Sequence, residues 1–593
     1  MNWKKIIVGL FAVVITLVVG IPISMLILVN HSQAFRQGVL ADVERSIYES
    51  TGARVAVRDF SLGLFPLNLD LYGVVVHGNE PEFGQPFLHA DHMSAGINID
   101  SLSGGKWNLR GVVIDHPVVH LFVNEAGESN LPQPEKRSRS VTDNFDLAIQ
   151  ELLLHDSEVY CNGKKILLDA KLHKVQLTAD FDNSVKRYHG VLSYADGEIK
   201  YGDYAPAVHD LELTFEASAG KFTVDHLALV AGNSKAVVTG SVEDYNNPLV
   251  RATYDAQLAT SDVAPILKAA SRASGVIHLT GSLSYRRDPS SPAVKTVSLS
   301  GTVSSSDLAI TTPGFRTEVR DFDAKYKLAG GNAEVENIHA QVLGGRLVGS
   351  LSIHDLTGAS NAKLQARLKN ASLEQLQAAR RQDALPDAHL SGIINADAEA
   401  TWSKTLQDLV AHGNATLEGV LGQAPSTPLH GAVHADYTAA GQQVALRQSY
   451  IRTQQTSITL DGKVSEDSQL QVALRSGNLH ELELLAENFR TAPSGQTAQK
   501  LDLYGTASFS GFVSGPANVP QLKGQLEAHN LRVKGTYWKL LRTDIDASPS
   551  SLSFSNGDLE AATQGQTGFS DSASPINLEV SASRFAGIKN WRH

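Results

Sequence analysis

Three stretches of apolar–polar alternation recur along this chain at a nearly constant interval, and no other feature limits its fold so strongly. Ala252, Tyr254, Ala256 and Leu258 alternate with Thr253, Asp255 and Gln257. Ala362, Leu364, Ala366 and Leu368 alternate with Lys363, Gln365 and Arg367. Leu470, Val472 and Leu474 are set among Gln469, Gln471, the small Ala473 and Arg475. Side chains of a strand point to opposite faces with a period of two, so each stretch predicts a strand that is greasy on one face and wet on the other. That is the pattern of a one-sided antiparallel sheet. Each stretch follows a strand that ends at a glycine (237–240, 346–349 and 459–462), and Gly240, Gly349 and Gly462 lie 109 and 113 residues apart. A short helical segment comes next, at 261–267, 372–376 and 479–485, and then another glycine-bearing strand at 275–281, 391–393 and 504–506. A repeat of several strands and one short helix predicts stacked, quasi-one-dimensional β units. With about six or seven strands at ~4.8 Å spacing, one repeat makes ~30 Å of sheet.

The chain has 593 residues, more than a single core supports, since cores stop growing near ~250–300 residues. Its N-terminus bears on compartment. Residues 6–29 are a run of 24 without a charge, relieved only by Gly9, Thr16, Gly20, Pro22 and Ser24. As a helix it would be ~36 Å long, enough to cross a ~30 Å hydrocarbon core with some tilt. Lys4 and Lys5 precede it, and the positive-inside rule then puts the N-terminus in the cytoplasm and the body on the far side. A cleaved signal peptide is the competing reading, with Ser32-Gln33-Ala34 as its cleavage site. Signal-peptide apolar regions run only ~7–15 residues. Both readings export the body. No second apolar run is long enough to span, so the expected topology is single-pass.

Residues 34–50 carry Phe35, Val39, Val43 and Ile47 every four residues, widened by Leu40, with Arg36, Asp42 and Arg45 off the stripe. This predicts an amphipathic helix that either caps the next domain or lies on the bilayer. After Gly52 the period changes to two. Candidate strands are 54–58, 68–71, 74–76, 94–99, 107–114 and 118–123, with turns at Gly78-Asn79, Gly84 and Gly104-Gly105. Residues 127–140, with Pro132, Pro134 and Glu135-Lys136-Arg137, read as a linker or long loop. The expected organisation is an anchor over 1–30, an N-terminal α+β cap over 31–131, a linker over 132–145 and β repeats over 146–593. Ile576, Leu578 and Val580 look like a fourth alternating strand, with residues 584–587 where its helix would begin. This leaves a last repeat that looks incomplete, with an open sheet edge that either a partner protein covers or a longer chain would continue.

Chemistry is hard to find. The net charge of −11 argues against a dedicated nucleic-acid binder. With 42% apolar residues the chain is too greasy for disorder. A single cysteine, Cys161, rules out a disulfide framework or a cysteine-based metal cluster within one chain. No G-x-x-x-x-G-K-[ST], G-x-S-x-G or H-E-x-x-H motif occurs. His89-x-Asp91-His92 is the most metal-like cluster and His155-Asp156 the next. Among 21 histidines such groupings arise by chance, and the plain reading is a solvated strand. No catalytic residue, metal or cofactor is expected.

The N-terminal part of the chain also carries a recognisable order. Thr51-Gly52 is followed by Phe60-Ser61-Leu62-Gly63-Leu64-Phe65-Pro66, Leu69 to Val76, a strand near Ser101-Leu102, His116-Pro117-Val118-Val119, and Gly127-Glu128-Ser129-Asn130-Leu131. Over residues 1–131 this resembles the AsmA family of bacterial envelope proteins, relatives of the TamB-type proteins. The later repeats resemble it only loosely. The resemblance implies an inner-membrane protein, mainly β, whose elongated periplasmic body is a repetitive antiparallel β-groove with short helices. Such grooves are thought to pass phospholipid between membranes without catalysis. An assembly or targeting role for outer-membrane proteins is the alternative that the family also implies. The expected groove lining is Ala252, Tyr254, Ala256, Leu258, Leu364, Ala366, Leu368, Leu470, Val472 and Leu474. The same alternation also suits the inner face of a closed sandwich.

Overall fold

The computed structural model describes residues 36–576, apart from 39, 42–43, 46–47, 49–51, 65–66, 81–83, 98–108, 133–148, 166, 268–271, 312–314, 380–389, 422–426, 489–501, 517–518, 549–550 and 562–573. The expected transmembrane run, the loop at 133–145 and most of the fourth alternating strand lie outside the described residues. No described helix is long and apolar enough to cross a membrane.

The chain is mainly β and divides into two compact units, Met1–Ala270 with His278–Arg287, and Ser271–Ile277 with Asp288–His593. The first holds β1 (Arg54–Leu64), β2 (Leu67–His77), β3 (Leu88–Ile97), β4 (Leu109–Asp115), β5 (Val118–Val123) and β6 (Glu151–Gly163). It continues through β7 (Leu168–Asp182), β8 (Arg187–Tyr201), β9 (Ala207–Ala217), β10 (Lys221–Ala231), β11 (Ser234–Glu243) and β12 (Leu249–Ala259), and ends in helix α1 (Thr260–Leu267). Strands pair antiparallel in chain order, with one exception. β4 and β5 together fill a single place between β3 and β6, and both run parallel to β6. Residues 68–71 and 74–76, read in the sequence as two strands, are one strand, β2.

Strand β13 (Arg272–Arg286) is divided between the units. The second unit continues with β14 (Val297–Thr311), β15 (Arg316–Ala329), β16 (Asn332–Val342), β17 (Gly345–His354), β18 (Asn361–Ser372) and α2 (Leu373–Ala379). Then come β19 (Leu390–Ser403), β20 (Thr405–Leu421), β21 (Thr427–Thr438), β22 (Gln443–Arg452), β23 (Thr456–Val464), β24 (Ser468–Ser476) and α3 (Leu479–Asn488). The last strands are β25 (Tyr504–Gly515), β26 (Gln521–Val533), β27 (Thr536–Ser548), β28 (Ser551–Ala561) and the short β29 (Ser574–Ile576). From β14 to β29 every pairing is antiparallel and between sequence neighbours.

The repeat is real, and it contains six strands closed by a helix: β7–β12 with α1, β13–β18 with α2, and β19–β24 with α3, the second and third repeats adding single helical turns at Ala293–Thr296 and Ala439–Gly441. The alternating stretches are β12, β18 and β24, the last strand of each repeat. Gly240, Gly349 and Gly462 stand opposite Ala252, Ala366 and Leu470. A side chain there would press on the partner strand, since a Cβ would lie 2.4, 2.7 and 2.2 Å from the carbonyl oxygens of Arg251, Gln365 and Gln469. Helices α1 and α3 are tied back to earlier hairpins, and α2 is capped by the residue before it. Asp262 of α1 accepts from the Asn233 N–H and the Ser234 hydroxyl, both at 2.8 Å. The Ser372 hydroxyl caps α2 by accepting from the Gln375 N–H at 3.2 Å. In α3, Glu481 binds the Thr453 hydroxyl. The strand after each helix carries, within its first four residues, a glycine with φ of 144°, 135° and 115°, namely Gly275, Gly392 and Gly505. Few other residues adopt that backbone, so the first residues of each of these strands depend on glycine.

Before β1, residues 36–38, 40–41, 44–45 and 48 are helical. Arg36 binds the Asp59 carboxylate and donates to the Phe60 carbonyl at 2.6 Å, and Glu44 accepts from the Val57 N–H at 3.3 Å. These bonds satisfy backbone groups on an edge that would otherwise be open.

Candidate functional site

Strand register places apolar side chains in continuous rows across each unit. In the first, one row runs Phe60–Leu71–Met93–Ile114–Leu154–Leu177. It continues through Leu192–Leu213–Leu227–Val238–Tyr254. At ~4.8 Å per strand this row is roughly 50 Å long. In the second unit a row runs Ile338–Gly349–Ala366–Ala398–Gly413–Ala435. It goes on as Leu446–Gly462–Leu470–Val513–Leu522–Ala547. No polar residue interrupts either row.

The ten residues expected from the sequence lie on the apolar sides of β12, β18 and β24. Tyr254 faces Val238, Ala256 faces Ala236 and Ala252 faces Gly240. Leu364 lies between Leu351 and Ala400, and Leu368 between Leu347 and Ala396. Val472 lies between Leu460 and Gly511, and Leu474 between Ile458 and Phe509. Leu258 completes the alternation of β12. The four residues of the first stretch sit in the first unit and the other six in the second.

Exposure is the informative property of this face. Tyr254, Leu258, Leu364, Leu368, Val472 and Leu474 are half-buried, and only Ala256 and Leu470 among the ten count as buried. Inner faces of packed sandwiches are normally sealed. Among large side chains, Leu373 at the start of α2 is nearly fully buried, at 1%. Leu479 of α3 packs on Ala507, Ala528 and Leu531. The helices therefore cover the face locally, near strand ends, and leave the rows beside them half-open.

The opposite face is polar in register. Gln365, Glu399, His412 and Asp436 form one row. Lys363 reaches Glu399 at 2.9 Å, and the Gln365 amide donates to Glu399 at 2.8 Å. These two contacts hold the Glu399 carboxyl below its ordinary value. His412, 2.6 Å away, and Arg447 do the same for Asp436.

His89, Asp91 and His92 lie in β3 but do not converge on one point. His89 approaches Asp91 at 3.5 Å, while His92 turns to Asp115 at 2.8 Å and Asp70 at 3.4 Å. His155 completes a row by binding the other oxygen of Asp115 at 3.0 Å. Among the described residues no three such groups gather as metal ligands. Cys161 is half-buried, and burial pushes its thiol up.

Sequence reading missed most of the apolar face, because polar doublets interrupt the alternation. His155-Asp156, Asp225-His226, Glu336-Asn337 and Arg447-Gln448 each point two consecutive side chains at solvent. Asp156, Asn337 and Gln448 take φ of 48°, 53° and 43°, and the pairing register shifts beside them. These are β-bulges, which absorb one residue and let the alternation resume out of phase. No family model matches this chain, and no curated protein matches it.

Proposed function

We propose that the apolar face is a lipid-binding groove and that the chain carries phospholipid across a cell envelope without catalysis. The observation that supports this reading is the half-open state of rows that stay apolar across eleven strands of the first unit and twelve of the second. An acyl chain laid on such a row removes surface from water at about 0.8 kcal/mol per methylene. Transport along a row needs continuity and low specificity, and a lining of Leu, Val, Ala and Gly provides both. The polar face keeps the sheet soluble on its other side. The resemblance of residues 1–131 to the AsmA family supports the same reading, with an inner-membrane anchor and a periplasmic body.

Site-specific photocrosslinking in the full chain tests it. A photoreactive residue at Leu364, Val472 or Tyr254 should capture phospholipid in cells, and one at Lys363, Gln471 or Asp255 should not. Equal capture from both faces, or none from the apolar one, would sink the reading.

A further inference from the structure

One end of the first unit displays apolar groups that no packing explains. The β6–β7 turn brings up Leu167 and the β8–β9 turn Tyr201 and Tyr204, exposed to 62, 58 and 45%. The two turns are joined, since the Gly202 N–H donates to the Leu167 carbonyl at 2.8 Å. The tyrosine rings stack with centroids 6.4 Å apart at 15°. Leu167 has φ of 52°, a backbone conformation that is rare and strained for a bulky residue. The turn therefore holds this leucine in water at a conformational cost. The second turn is also anchored from behind, the Ala205 N–H donating to Ile266 of α1 at 3.3 Å.

Position and side-chain composition indicate the partner. The apolar face ends here, in a last row of Val123, Gly163, Leu168 and Tyr201. Lys164 and Lys165 stand in the first turn and Lys200 just before the second; Asp203 is the one carboxylate in either turn, and the neighbouring turn after β5, against which Lys165 lies, adds the exposed Glu125 and Glu128. Lys164 and Lys200 are exposed and make no ion pair among the described residues. Tyrosine beside an aliphatic tip and flanking lysines is the composition that settles at a membrane–water interface. There the rings sit at headgroup level and the ammonium groups meet lipid phosphates.

We propose that this end seats on a phospholipid bilayer, with Leu167, Tyr201 and Tyr204 in the interface, and so opens the apolar face to acyl chains. This rests on the lipid-groove reading above. The opposite strand ends provide a control, because Val185 in the β7–β8 turn is also about half exposed, at 51%, and has no place in the seat.

The full chain, with Cys161→Ser, is reconstituted into vesicles of phosphatidylethanolamine and phosphatidylglycerol. A single cysteine replaces Leu167, Tyr204 or Val185 and carries an environment-sensitive fluorophore. Nitroxide-labelled phosphatidylcholine in the bilayer should remove most of the fluorescence at 167 and 204 and leave that at 185 unchanged. Equal quenching at all three positions overturns the proposal. So does the absence of quenching at 167 and 204, whether they stay open to aqueous iodide or are shielded from it by a protein. Lipid capture at Leu364, scored in the same preparation, separates the two readings. Capture without quenching removes the seat and leaves the groove. Quenching without capture supports the seat and removes the groove.

Discussion

Leu364 and Lys363 are neighbours in β18 that face opposite ways: Leu364 lies between Leu351 and Ala400, while the Lys363 ammonium reaches Glu399 at 2.9 Å. The pair therefore separates groove from surface at a single point. Leu364→Asp puts a carboxylate into a row that acyl chains must cross, and removes an apolar contact worth about 2 kcal/mol. Phospholipid transfer between vesicles should fall about tenfold or more, as a loss of that size implies. Lys363→Asp breaks one exposed ion pair and should leave transfer within about twofold, since such pairs contribute little. Equal losses from the two changes would rule out a face-specific path.

The repeat glycines make a prediction about stability. Gly349 stands opposite Ala366, and a Cβ on it would lie 2.7 Å from the Gln365 carbonyl oxygen, which is backbone and cannot swing away. Gly349→Ala should destabilise the β17–β18 pair by about 1–3 kcal/mol, the usual cost of overpacking. Gly220 has open space around its Cβ position, so Gly220→Ala should be neutral or slightly stabilising. Hydrogen exchange of β17 and β18 amides reads the first effect locally. Unchanged protection in Gly349→Ala would mean that the strands part to accept the methyl group.

How much of this was legible in the sequence follows from the bulges. Strands β12, β18 and β24 stood out because their alternating runs pair with β11, β17 and β23 without a register shift. Strands such as β6, β10, β16 and β22 contribute equally to the rows, yet each hides its alternation behind a doublet like His155-Asp156 or Glu336-Asn337. The doublets are themselves a usable signal: two polar residues between apolar ones, the second often Asp or Asn, which tolerate positive φ. The parallel pairing of β4 and β5 with β6 could not be read from composition, because it joins strands that no hairpin turn connects. Cross-strand neighbours such as Leu168 and Tyr201, 33 positions apart, carry no local signature at all.

Helix α3 depends on one buried carboxylate. Glu483, 8% exposed, accepts from the Asp502 and Leu503 N–H groups at 3.1 and 2.9 Å, and so joins the helix to the start of β25. Behind it Leu479 packs on Ala507, Ala528 and Leu531. Glu483→Ala orphans two backbone donors and should cost about 1–3 kcal/mol. Limited proteolysis near residue 501 should accelerate in this variant, and Glu483→Gln, which keeps one acceptor, should fall between it and the parent. Parent-like cleavage in Glu483→Ala would show that Leu479 packing alone holds the helix.

The row of Asp70, His92, Asp115 and His155 predicts a pH dependence. His92 meets Asp115 at 2.8 Å and Asp70 at 3.4 Å through different ring nitrogens, and only the imidazolium can donate from both. The Asp115 bond, with further help from Asp70, outweighs the opposing desolvation and raises the His92 pKa, while His92 and His155 lower that of Asp115. A raised histidine contributes stability that is complete below its ordinary value of about 6.5 and is lost as pH rises through the raised one. A lowered carboxyl contributes stability present above its ordinary value of about 3.9 and lost as pH falls through the lowered one. The contacts joining β3, β4 and β6 are therefore strongest between roughly pH 4 and 6.5. Amides of Val113, Ile114 and Leu153 should be better protected from exchange at about pH 5.5 than at pH 8, after correction for intrinsic rates. Asp115→Asn should remove that difference, because it takes away the charge that both histidines face. Protection that rises with pH in the parent, or a dependence that survives in Asp115→Asn, would place the titrating group elsewhere.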